Sequence, residues 1–276
     1  MQLKTLLVSL LVSSAAAKRS CGTPNATAEQ IQVAQNLQIL EAESNASGAR
    51  LAAAAATINI KVYWHVTATA RTVASGYLTQ ATLDKQLAVL NSAYAPHGIS
   101  FSQAGVDWTV NSNYANDRAD LTMKKALRKG TYADLNVYFV PGTQYLGYAY
   151  FPQAVTANSN AFFLDGVVIR SSTVPGGSEK PFDLGHTATH EVGHWLGLYH
   201  TFEGGCTGNG DFVSDTPAEA SEAFDCQLTR DSCPNQAGLD PVTNYMDYSD
   251  DACFTGFTTG QETRIFSYWN QYRAGK

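Results

Sequence analysis

Alternating apolar and polar positions begin at residue 57 and predict the first strand of the fold. Residues 57–68 (TINIKVYWHVTA) place β-branched and aromatic side chains at every second position, which is typical of a half-buried strand. Over residues 79–95 the period changes, and apolar side chains recur every three or four positions. That spacing predicts an amphipathic helix, which Pro96 and Gly98 would end.

Strand-like and helix-like segments then alternate without a repeating order. The pattern predicts a strand at 99–110, a charged helix at 117–129, and strands at 134–140 and 166–170. An edge strand, at 145–151 or 160–165, would be available to pair with an extended peptide. This mixed order favours an α+β fold, in which helices pack on a twisted mixed β-sheet.

Two more helices and one long irregular segment follow. A helix is predicted to begin near Phe182 or Asp183, and a final amphipathic helix is predicted over 259–272. Between them, residues 201–256 are rich in Gly, Asp, Thr and Pro and show little periodicity. A long stretch of this kind is usually functional or pinned by cross-links.

The first 17 residues differ from the rest of the chain. Residues 1–17 (MQLKTLLVSLLVSSAAA) combine an early lysine, an apolar run and small residues at the end. This is the pattern of a secretory signal peptide. The alternative is a membrane anchor, but the apolar run is only about half the roughly 20 residues that span a bilayer. We therefore expect a secreted protein.

The segment after the signal peptide contains no aromatic residue up to position 56. Such a segment does not build a core of its own, and we interpret it as a pro-segment. It holds two glycosylation sequons, at Asn25 and Asn45. The expected organisation is a signal peptide at 1–17, a pro-segment at 18–56 and one domain at 57–276, divided into an N-terminal subdomain (57–200) and a C-terminal subdomain (201–276).

Charge excludes some classes of partner. The whole chain carries a net charge of −6, which argues against nucleic acid and anionic membranes as partners. Residues 201–276 contain 12 acidic and 4 basic residues, a local balance of −8. This acidity is either a solvated surface or a loop region organised by calcium.

Cysteine usage fits a secreted protein. Four of the five cysteines lie in the last third of the chain, and an oxidising compartment predicts that they form two disulfides. Four cysteines allow three connectivities, and their spacing does not choose among them. Cys21 is left over in the pro-segment.

The segment 190–200 (HEVGHWLGLYH) carries a pattern typical of a catalytic metal site. His190 and His194 are four residues apart, so on a helix both rings project from one face, about 6 Å apart along the axis. That spacing suits two imidazole nitrogens that each lie about 2.0–2.1 Å from one zinc ion. Glu191 is turned by roughly 100° from His190, where it can act as a base on a zinc-bound water.

His200 completes the set only if the helix ends before it. On a continued helix it would lie roughly 240° round and about 9 Å beyond His194, too far to share the metal. Gly197 removes that objection, because a glycine at positive φ can end a helix and turn the chain back. Three protein ligands leave a fourth position for water, as in catalytic zinc sites.

The other histidines are less suited to metal binding. His186 lies four residues before His190, but Thr187 occupies the place that a catalytic glutamate would take. We expect His186 at the helix start or behind the ligands. His65, in the first strand, and His97, in a turn, are expected to be structural.

The extended motif at 190–200 is similar to that of the metzincin zinc endopeptidases, which also carry a methionine turn downstream. The sequence NYMDY at 244–248 fits that turn. Two further segments, KVYWHV at 61–66 and DTP at 215–217, narrow the resemblance to the pappalysin family, particularly its small extracellular fungal and bacterial members. The resemblance covers most of residues 57–270.

The resemblance implies a metzincin-type zinc protease domain, with the active-site helix above a cleft and an irregular, disulfide-bonded C-terminal subdomain that holds one helix. Met246 would form an apolar floor beneath the zinc. Tyr248 would hydrogen-bond the tetrahedral intermediate, although a structural phenol is the alternative. The implied disulfides are Cys206–Cys233 and Cys226–Cys253, and nested pairing is the alternative.

The same resemblance implies structural calcium in the acidic loop, which we place at Asp211 and Asp215. It also implies that Cys21 supplies a thiolate to the zinc in the precursor and blocks the water site. The alternative is a free or intermolecular thiol. Arg50 is a candidate site for the activating cut, because it precedes the alanine-rich join.

The predicted function is that of a secreted zinc endopeptidase whose base is Glu191. Protein or peptide substrates are expected, with no nucleic-acid or membrane partner, and the enzyme is expected to be a monomer. Asp250 and Asp251 suggest a preference for basic side chains after the scissile bond. The rival hypotheses are a zinc-stabilised binding protein and a hydrolase of non-peptide amides.

Overall fold

A twisted five-stranded sheet forms the centre of the fold. The computed structural model describes residues 18–46 and 57–276, so the predicted signal peptide at 1–17 and the predicted cut at Arg50 lie outside the described residues. The strands, in the spatial order β2-β1-β3-β5-β4, are β1 (Ile58–Ala68), β2 (Ile99–Val110), β3 (Leu135–Phe139), β4 (Gly147–Ala149) and β5 (Val167–Ile169). All neighbours are parallel except β4, which runs antiparallel to β5 at the edge.

Seven α-helices surround the sheet in the described part of the chain. They are α1 (Ala28–Ala46), α2 (Gln80–Tyr94), α3 (Ser112–Ala115), α4 (Asp120–Leu127), α5 (Asn160–Leu164), α6 (His186–Trp195) and α7 (Thr259–Tyr268). The predicted α+β fold, with a mixed sheet and one helix in the C-terminal part, is therefore confirmed. No helix within the described ranges is both long and apolar enough to cross a bilayer.

The main core lies between the sheet and the two helices α2 and α6. Alternate residues of β1, among them Trp64, point into this layer. Leu83 and Leu90 of α2 and Val192 of α6 meet them, and all four side chains are fully buried. The apolar periodicity that predicted the strand and the helix therefore marks the residues that hold α6 against the sheet.

Two predictions about local structure are wrong. The alternative edge strand at 160–165 is helix α5, which begins where the Ser159 side chain accepts a hydrogen bond from the backbone N–H of Phe162 at 3.2 Å. The predicted start of the active-site helix near Phe182 or Asp183 is too early, since α6 begins at His186.

The late start of α6 has a physical reason. Gly185 adopts a positive φ of 93°, and the backbone N–H groups of Leu184 and His186 both donate to Oδ2 of Asp251, at 2.8 and 3.3 Å. The segment before α6 is thus tied to a carboxylate that lies 65 residues or more downstream. A hydrogen-bonding partner so far along the chain gives no local sequence signal.

Residues 18–46, the described part of the predicted pro-segment, contain a helix that the sequence analysis did not predict. Helix α1 packs against α7 and against the loop that follows α6. Its buried residues are Ala34, Leu37 and Glu41. The described part of this segment therefore packs on the surface of the domain that follows it.

Candidate active site

Helix α6 ends at a glycine turn that reverses the chain. Gly197 has a φ of 99°, and its N–H donates to the carbonyl of His194 at 2.9 Å. The N–H of Leu198 donates to the carbonyl of Gly193, also at 2.9 Å. These two bonds form a Schellman motif, which needs a left-handed residue at the position of Gly197.

The turn brings His200 back beside the helix. The Nε2 atom of His194 lies 3.2 Å from Nε2 of His190 and 3.0 Å from Nε2 of His200. The Sγ atom of Cys21 joins this group, and the four candidate ligand atoms all lie within 4.8 Å of one another. The structure therefore brings together all four residues that the sequence analysis selected for zinc.

Hydrogen bonds fix the tautomers of two of these histidines. Nδ1 of His190 lies 2.7 Å from the carbonyl oxygen of Tyr245, and Nδ1 of His194 lies 2.7 Å from that of Leu198. Because a carbonyl only accepts, each Nδ1 carries the proton and each Nε2 presents a lone pair. The lone pairs face one another across about 3 Å, which is unfavourable unless a cation lies between them.

This donor set fits zinc. Nitrogen atoms about 2.0–2.1 Å from one tetrahedral ion are about 3.3 Å apart, close to the separations observed here. Burial lowers the pKa of His194 to about 4, and it lowers the pKa values of His190 and His200 well below the usual range. Neutral imidazoles are the form that binds a metal.

Glu191 projects from α6 beside the three histidines. Its Oε2 atom accepts hydrogen bonds from Oγ1 of Thr23 at 3.0 Å and from Sγ of Cys21 at 3.4 Å. Burial raises the pKa of Glu191 to about 8, while the bonds from Cys21 and Thr23 act in the opposite direction. The carboxylate is thus held next to the candidate metal position but is not one of its clustered ligands.

The start of the pro-segment lies along the edge strand β4. Gly22 donates its N–H to the carbonyl of Gly147 at 2.8 Å, and Leu146 donates to the carbonyl of Ser20 at 2.9 Å. Cys21 forms a parallel bridge with Gly147. Of the two segments expected to provide the edge strand, 145–151 is therefore the one that pairs with an extended peptide.

Arg19, two residues before Cys21, is buried against Asp251. Its Nη2 lies 2.5 Å from Oδ1 of Asp251, and both side chains are almost fully buried. The guanidinium carbon lies 4.8 and 4.9 Å from the ring centres of Phe182 and Phe254. Asp251 is therefore held by backbone N–H donors at one carboxylate oxygen and by Arg19 at the other. The neighbouring Asp250 is only partly buried.

Met246 and Tyr248, two residues apart in the turn at 244–248, both lie near this centre. The fully buried Met246 packs against α6 so closely that a Cβ on Gly193 would lie 2.4 Å from its sulfur. The hydroxyl of Tyr248 accepts a hydrogen bond from the backbone N–H of Cys21 at 3.3 Å. The roles that the resemblance implies for these two residues stay predictions.

The remaining histidines have other partners. His186 is the first residue of α6 and stacks near Tyr245, with ring centres 5.1 Å apart. His65 bonds through its two ring nitrogens to Asp107 at 2.7 Å and Asn136 at 2.9 Å. His97 lies 2.9 Å from a carboxylate oxygen of Glu262. None of the three belongs to the candidate metal cluster in the described residues.

The C-terminal loops are cross-linked by two disulfides. They join Cys206 to Cys233 and Cys226 to Cys253, which is the pairing that the resemblance implies. Each bond closes a loop of 27 residues in a region with little secondary structure, so each removes considerable freedom from the unfolded chain.

Asp211 and Asp215, the residues expected to bind calcium, line one cavity of about 410 Å³. Asp211 is buried, which raises its pKa to about 7, and its Oδ2 atom has no hydrogen-bond partner among the described residues. Asp215 instead accepts from Oγ1 of Thr258 at 2.7 Å and from the N–H of Gly260 at 2.8 Å, at the start of α7. Calcium at this position stays a prediction.

The sequence analysis missed several residues that contact this centre. Arg19 and Thr23 stand within two residues of Cys21, but only the structure shows that they reach Asp251 and Glu191. Arg273 was missed too. Its buried guanidinium donates to the carbonyl of Trp195 at 2.9 Å, at the end of α6. The only available signal was an arginine in an apolar helix pattern.

Comparison with known protein families and relatives agrees with this site. The family model described as Peptidase_M43, Pregnancy-associated plasma protein-A, matches residues 132–269. An extracellular metalloprotease of Colletotrichum graminicola is 68% identical over 277 residues, covering 99% of each chain. An extracellular metalloprotease of Neurospora crassa is 51% identical over 283 residues, again covering 99% of each.

Solved structures show the same similarity. A promirolysin mutant from Tannerella forsythia matches with a TM-score of 0.70 and 27% identity, covering 92% of this chain and 95% of that one. Mature mirolysin from the same organism, in complex with a cleaved peptide, matches with a TM-score of 0.65 and 29% identity. That match covers 78% of this chain and 92% of mirolysin.

The turn at Gly197 leads to a first prediction. Gly197→Ala would place a Cβ at positive φ, 2.3 Å from the ring of Tyr268. We expect it to destabilise the fold by at least about 1 kcal/mol and to weaken zinc binding by at least about tenfold, because His200 loses its position. Thermal unfolding and zinc retention against a chelator measure these effects.

Gly256→Ala is the matched control, since a Cβ at Gly256 would meet nothing within 4 Å. It should keep the stability and the zinc affinity of the unaltered protein. If Gly197→Ala held zinc as tightly as this control, the turn would not be what positions His200.

Proposed function

Because the chain belongs to the pappalysin family of metalloendopeptidases, we propose that it is a zinc-dependent endopeptidase, secreted as a latent precursor. One observation carries the proposal. The Nε2 atoms of His190, His194 and His200 converge on one point, with Glu191 beside it and the Cys21 sulfur at the fourth position. A structural zinc site needs neither an adjacent carboxylate nor a displaceable ligand.

The zinc ion, when bound by the three histidines, supplies a Lewis acid that polarises the scissile carbonyl and makes water a better nucleophile. The chain's own base is Glu191. It accepts a proton from the attacking water and passes that proton to the leaving amine. With the pro-segment in place, burial raises the pKa of Glu191 to about 8. A cation at the histidines would favour the ionised carboxylate, which is the form that accepts a proton.

Tyr248 is the proposed donor to the tetrahedral intermediate. Its hydroxyl accepts a hydrogen bond from the backbone N–H of Cys21, whose sulfur lies with the three histidine nitrogens. Burial raises the pKa of Tyr248 well above the ordinary value, so the phenol keeps its proton and can donate it in a hydrogen bond. A donor aimed at developing negative charge is a recognised source of transition-state stabilisation.

The proposed latency follows because the pro-segment occupies the metal position and contacts the base. The sulfur of Cys21 lies among the three histidine nitrogens, and Thr23 and Cys21 both donate to Glu191. With a metal bound, a thiolate at this position excludes the water that the reaction needs. Removal of residues 18–56 by proteolysis would open the site.

The substrate is proposed to lie extended along β4, where Gly22 now bonds to Gly147. The Asp251 pocket, which now holds Arg19, would take the side chain after the scissile bond. A buried carboxylate, with two aromatic rings beside the cation that it binds, selects arginine or lysine at that position. We therefore propose cleavage on the N-terminal side of basic residues in protein substrates.

Further properties concern the secretion, the processing and the calcium binding of the chain. The relatives named extracellular metalloproteases support secretion, and the sequons at Asn25 and Asn45 would then be available for glycosylation. The orphaned oxygen of Asp211 supports calcium binding in the acidic loop. A signal peptide at 1–17, a pro-segment at 18–56 and a monomeric enzyme with subdomains at 57–200 and 201–276 complete the proposal.

The catalytic proposal is tested with the processed enzyme and casein. Glu191→Ala should lower kcat by at least about 100-fold with zinc content unchanged, because the base is lost but the ligands are not.

Tyr248→Phe should lower kcat by about tenfold or more with KM little changed, because only the intermediate loses a hydrogen bond. Cleavage of casein by Glu191→Ala at the unaltered rate would exclude the proposed base, and full kcat in Tyr248→Phe would exclude the tyrosine's role.

Latency is tested on the uncut precursor with a small peptide substrate. Cys21→Ala should show activity above that of the unaltered precursor, because the metal position opens to water. The activity should stay below that of the processed enzyme, because Gly22 still pairs with Gly147. The double variant Cys21→Ala, Glu191→Ala should be inactive. A Cys21→Ala precursor as latent as the unaltered one would exclude the thiol switch.

Specificity is tested with peptides that differ only at the residue after the scissile bond. The unaltered enzyme should prefer arginine over its neutral isostere citrulline, and Asp251→Asn should reduce that ratio by about 30-fold or more. Asp250→Asn, at a partly exposed position, is the matched control and should keep the preference. An unchanged ratio in Asp251→Asn would place the specificity pocket elsewhere.

A further inference from the structure

The helix of the pro-segment binds the domain through one narrow stripe. Ala34, Leu37 and Glu41 are spaced by three and four residues, so they lie on one face of α1, and all three are buried. The apolar side chains of Ile39 and Leu40 are instead 58% and 57% exposed. The contact of α1 with the domain therefore depends on these three buried positions and not on the apolar character of the helix as a whole.

The surface beneath α1 is formed partly by two aromatic rings. Tyr199 follows the turn at the end of α6, and Phe212 lies in the acidic loop. Their ring centres are 5.7 Å apart with the planes at 77°, an edge-to-face arrangement. Ala34, which belongs to the helix, packs against these two rings in one buried cluster. Without α1, this apolar surface would face water.

A buried ion pair fixes the far end of the helix. Nε of Arg264, on α7, donates to the two carboxylate oxygens of Glu41 at 2.9 and 3.2 Å, and Nη2 donates to one of them at 2.9 Å. Nη2 also donates to the carbonyl of Phe212 at 2.5 Å. The arginine side chain is 1% exposed and the glutamate side chain 11%. A forked contact of this kind specifies both the charge and the register of the bound helix.

This contact is separate from those in the cleft. Glu41 lies 20 residues along the chain from Cys21, and Arg264 belongs to α7 rather than to α6 or β4. The pro-segment thus has three anchors: Arg19 on Asp251, Cys21 at the histidines and Glu41 on Arg264. Cutting the chain after residue 46 would break none of them.

We propose that Tyr199, Phe212 and Arg264 form a helix-binding surface that retains the excised pro-segment after the linker has been cut. The proposal rests on the proposed removal of residues 18–56 by proteolysis. The occupant is the helix α1, because the structure shows its contacts directly. While α1 stays bound, Arg19 and Cys21 remain at high effective concentration over the cleft. A cut in the linker therefore does not by itself release the enzyme; α1 must also be degraded or displaced.

The test uses the full precursor with Glu191→Ala, which prevents self-digestion. A recognition sequence for a specific protease replaces part of the linker between Ala46 and Thr57, and the purified precursor is cut there. The released pro-segment is then quantified over a dilution series by size-exclusion chromatography and mass spectrometry. Because the readout is binding, it does not depend on whether the unaltered enzyme cleaves casein.

Three variants on this background separate the anchors. Cys21→Ser should leave most of the cut pro-segment bound, since α1 holds it independently of the sulfur. Glu41→Gln should raise Kd by about 30-fold, because the guanidinium of Arg264 loses its charged partner. Glu43→Gln removes an exposed carboxylate two residues away and should change Kd by less than about twofold. Thermal unfolding of each uncut precursor confirms that the variants fold.

Two results would overturn the proposal. The first is loss of the pro-segment from Cys21→Ser together with full retention in Glu41→Gln, which would show that the sulfur, and not the pair of Glu41 with Arg264, retains the cut pro-segment. The second is elution of the cut enzyme as a dimer without its pro-segment, which would mean that a second copy covers the surface.

Discussion

The convergence of three neutral imidazoles is the constraint on which the rest of this structure depends. Two of them, His190 and His194, use Nδ1 as a donor to a carbonyl, so their Nε2 lone pairs must point to the common centre. The carbonyls belong to Tyr245 and Leu198. One lies in the methionine turn and the other just past the end of α6. Both segments have to hold their positions for the site to exist.

The C-terminal helix gives that support. Tyr268 packs against Gly197 so closely that no side chain fits there, and Arg273 donates to the last turn of α6 while it pairs with the buried Asp165 at 2.8 Å. A buried guanidinium that is paired with a buried carboxylate is costly to disturb. The end of the chain therefore fixes the turn that brings the third histidine, His200, to the centre.

The parts predicted correctly from the sequence share a local cause. The strand at 57–68 and the helix at 79–95 are marked by their own periodicity, and Gly197 marks the end of α6 by its freedom at positive φ. The histidine motif encodes a distance along a helix. In each of these cases the residues that determine the local structure lie within a few positions of the sequence pattern that predicts it.

The parts predicted wrongly or missed depend on distant partners. The start of α6 is set by Asp251, and the pairing of Arg264 with Glu41 spans 223 residues. Helix α1 was not predicted either, because its apolar residues lie on two faces. One face packs on the domain, while Ile39 and Leu40 are exposed, so the spacing does not resemble an amphipathic helix.

The proposed inhibited state gives each group of the site a partner. Thr23 donates a hydrogen bond to Glu191, the backbone of Cys21 donates one to the Tyr248 hydroxyl, and Asp251 is paired with an arginine. A peptide substrate would need the same groups for proton transfer, for stabilisation of the intermediate and for recognition of its side chain. The pro-segment satisfies all three needs while it places a sulfur, rather than a peptide carbonyl, at the histidines. Its chain direction is opposite to that of the proposed substrate, since Arg19 precedes Cys21 but fills the pocket for the residue after the scissile bond.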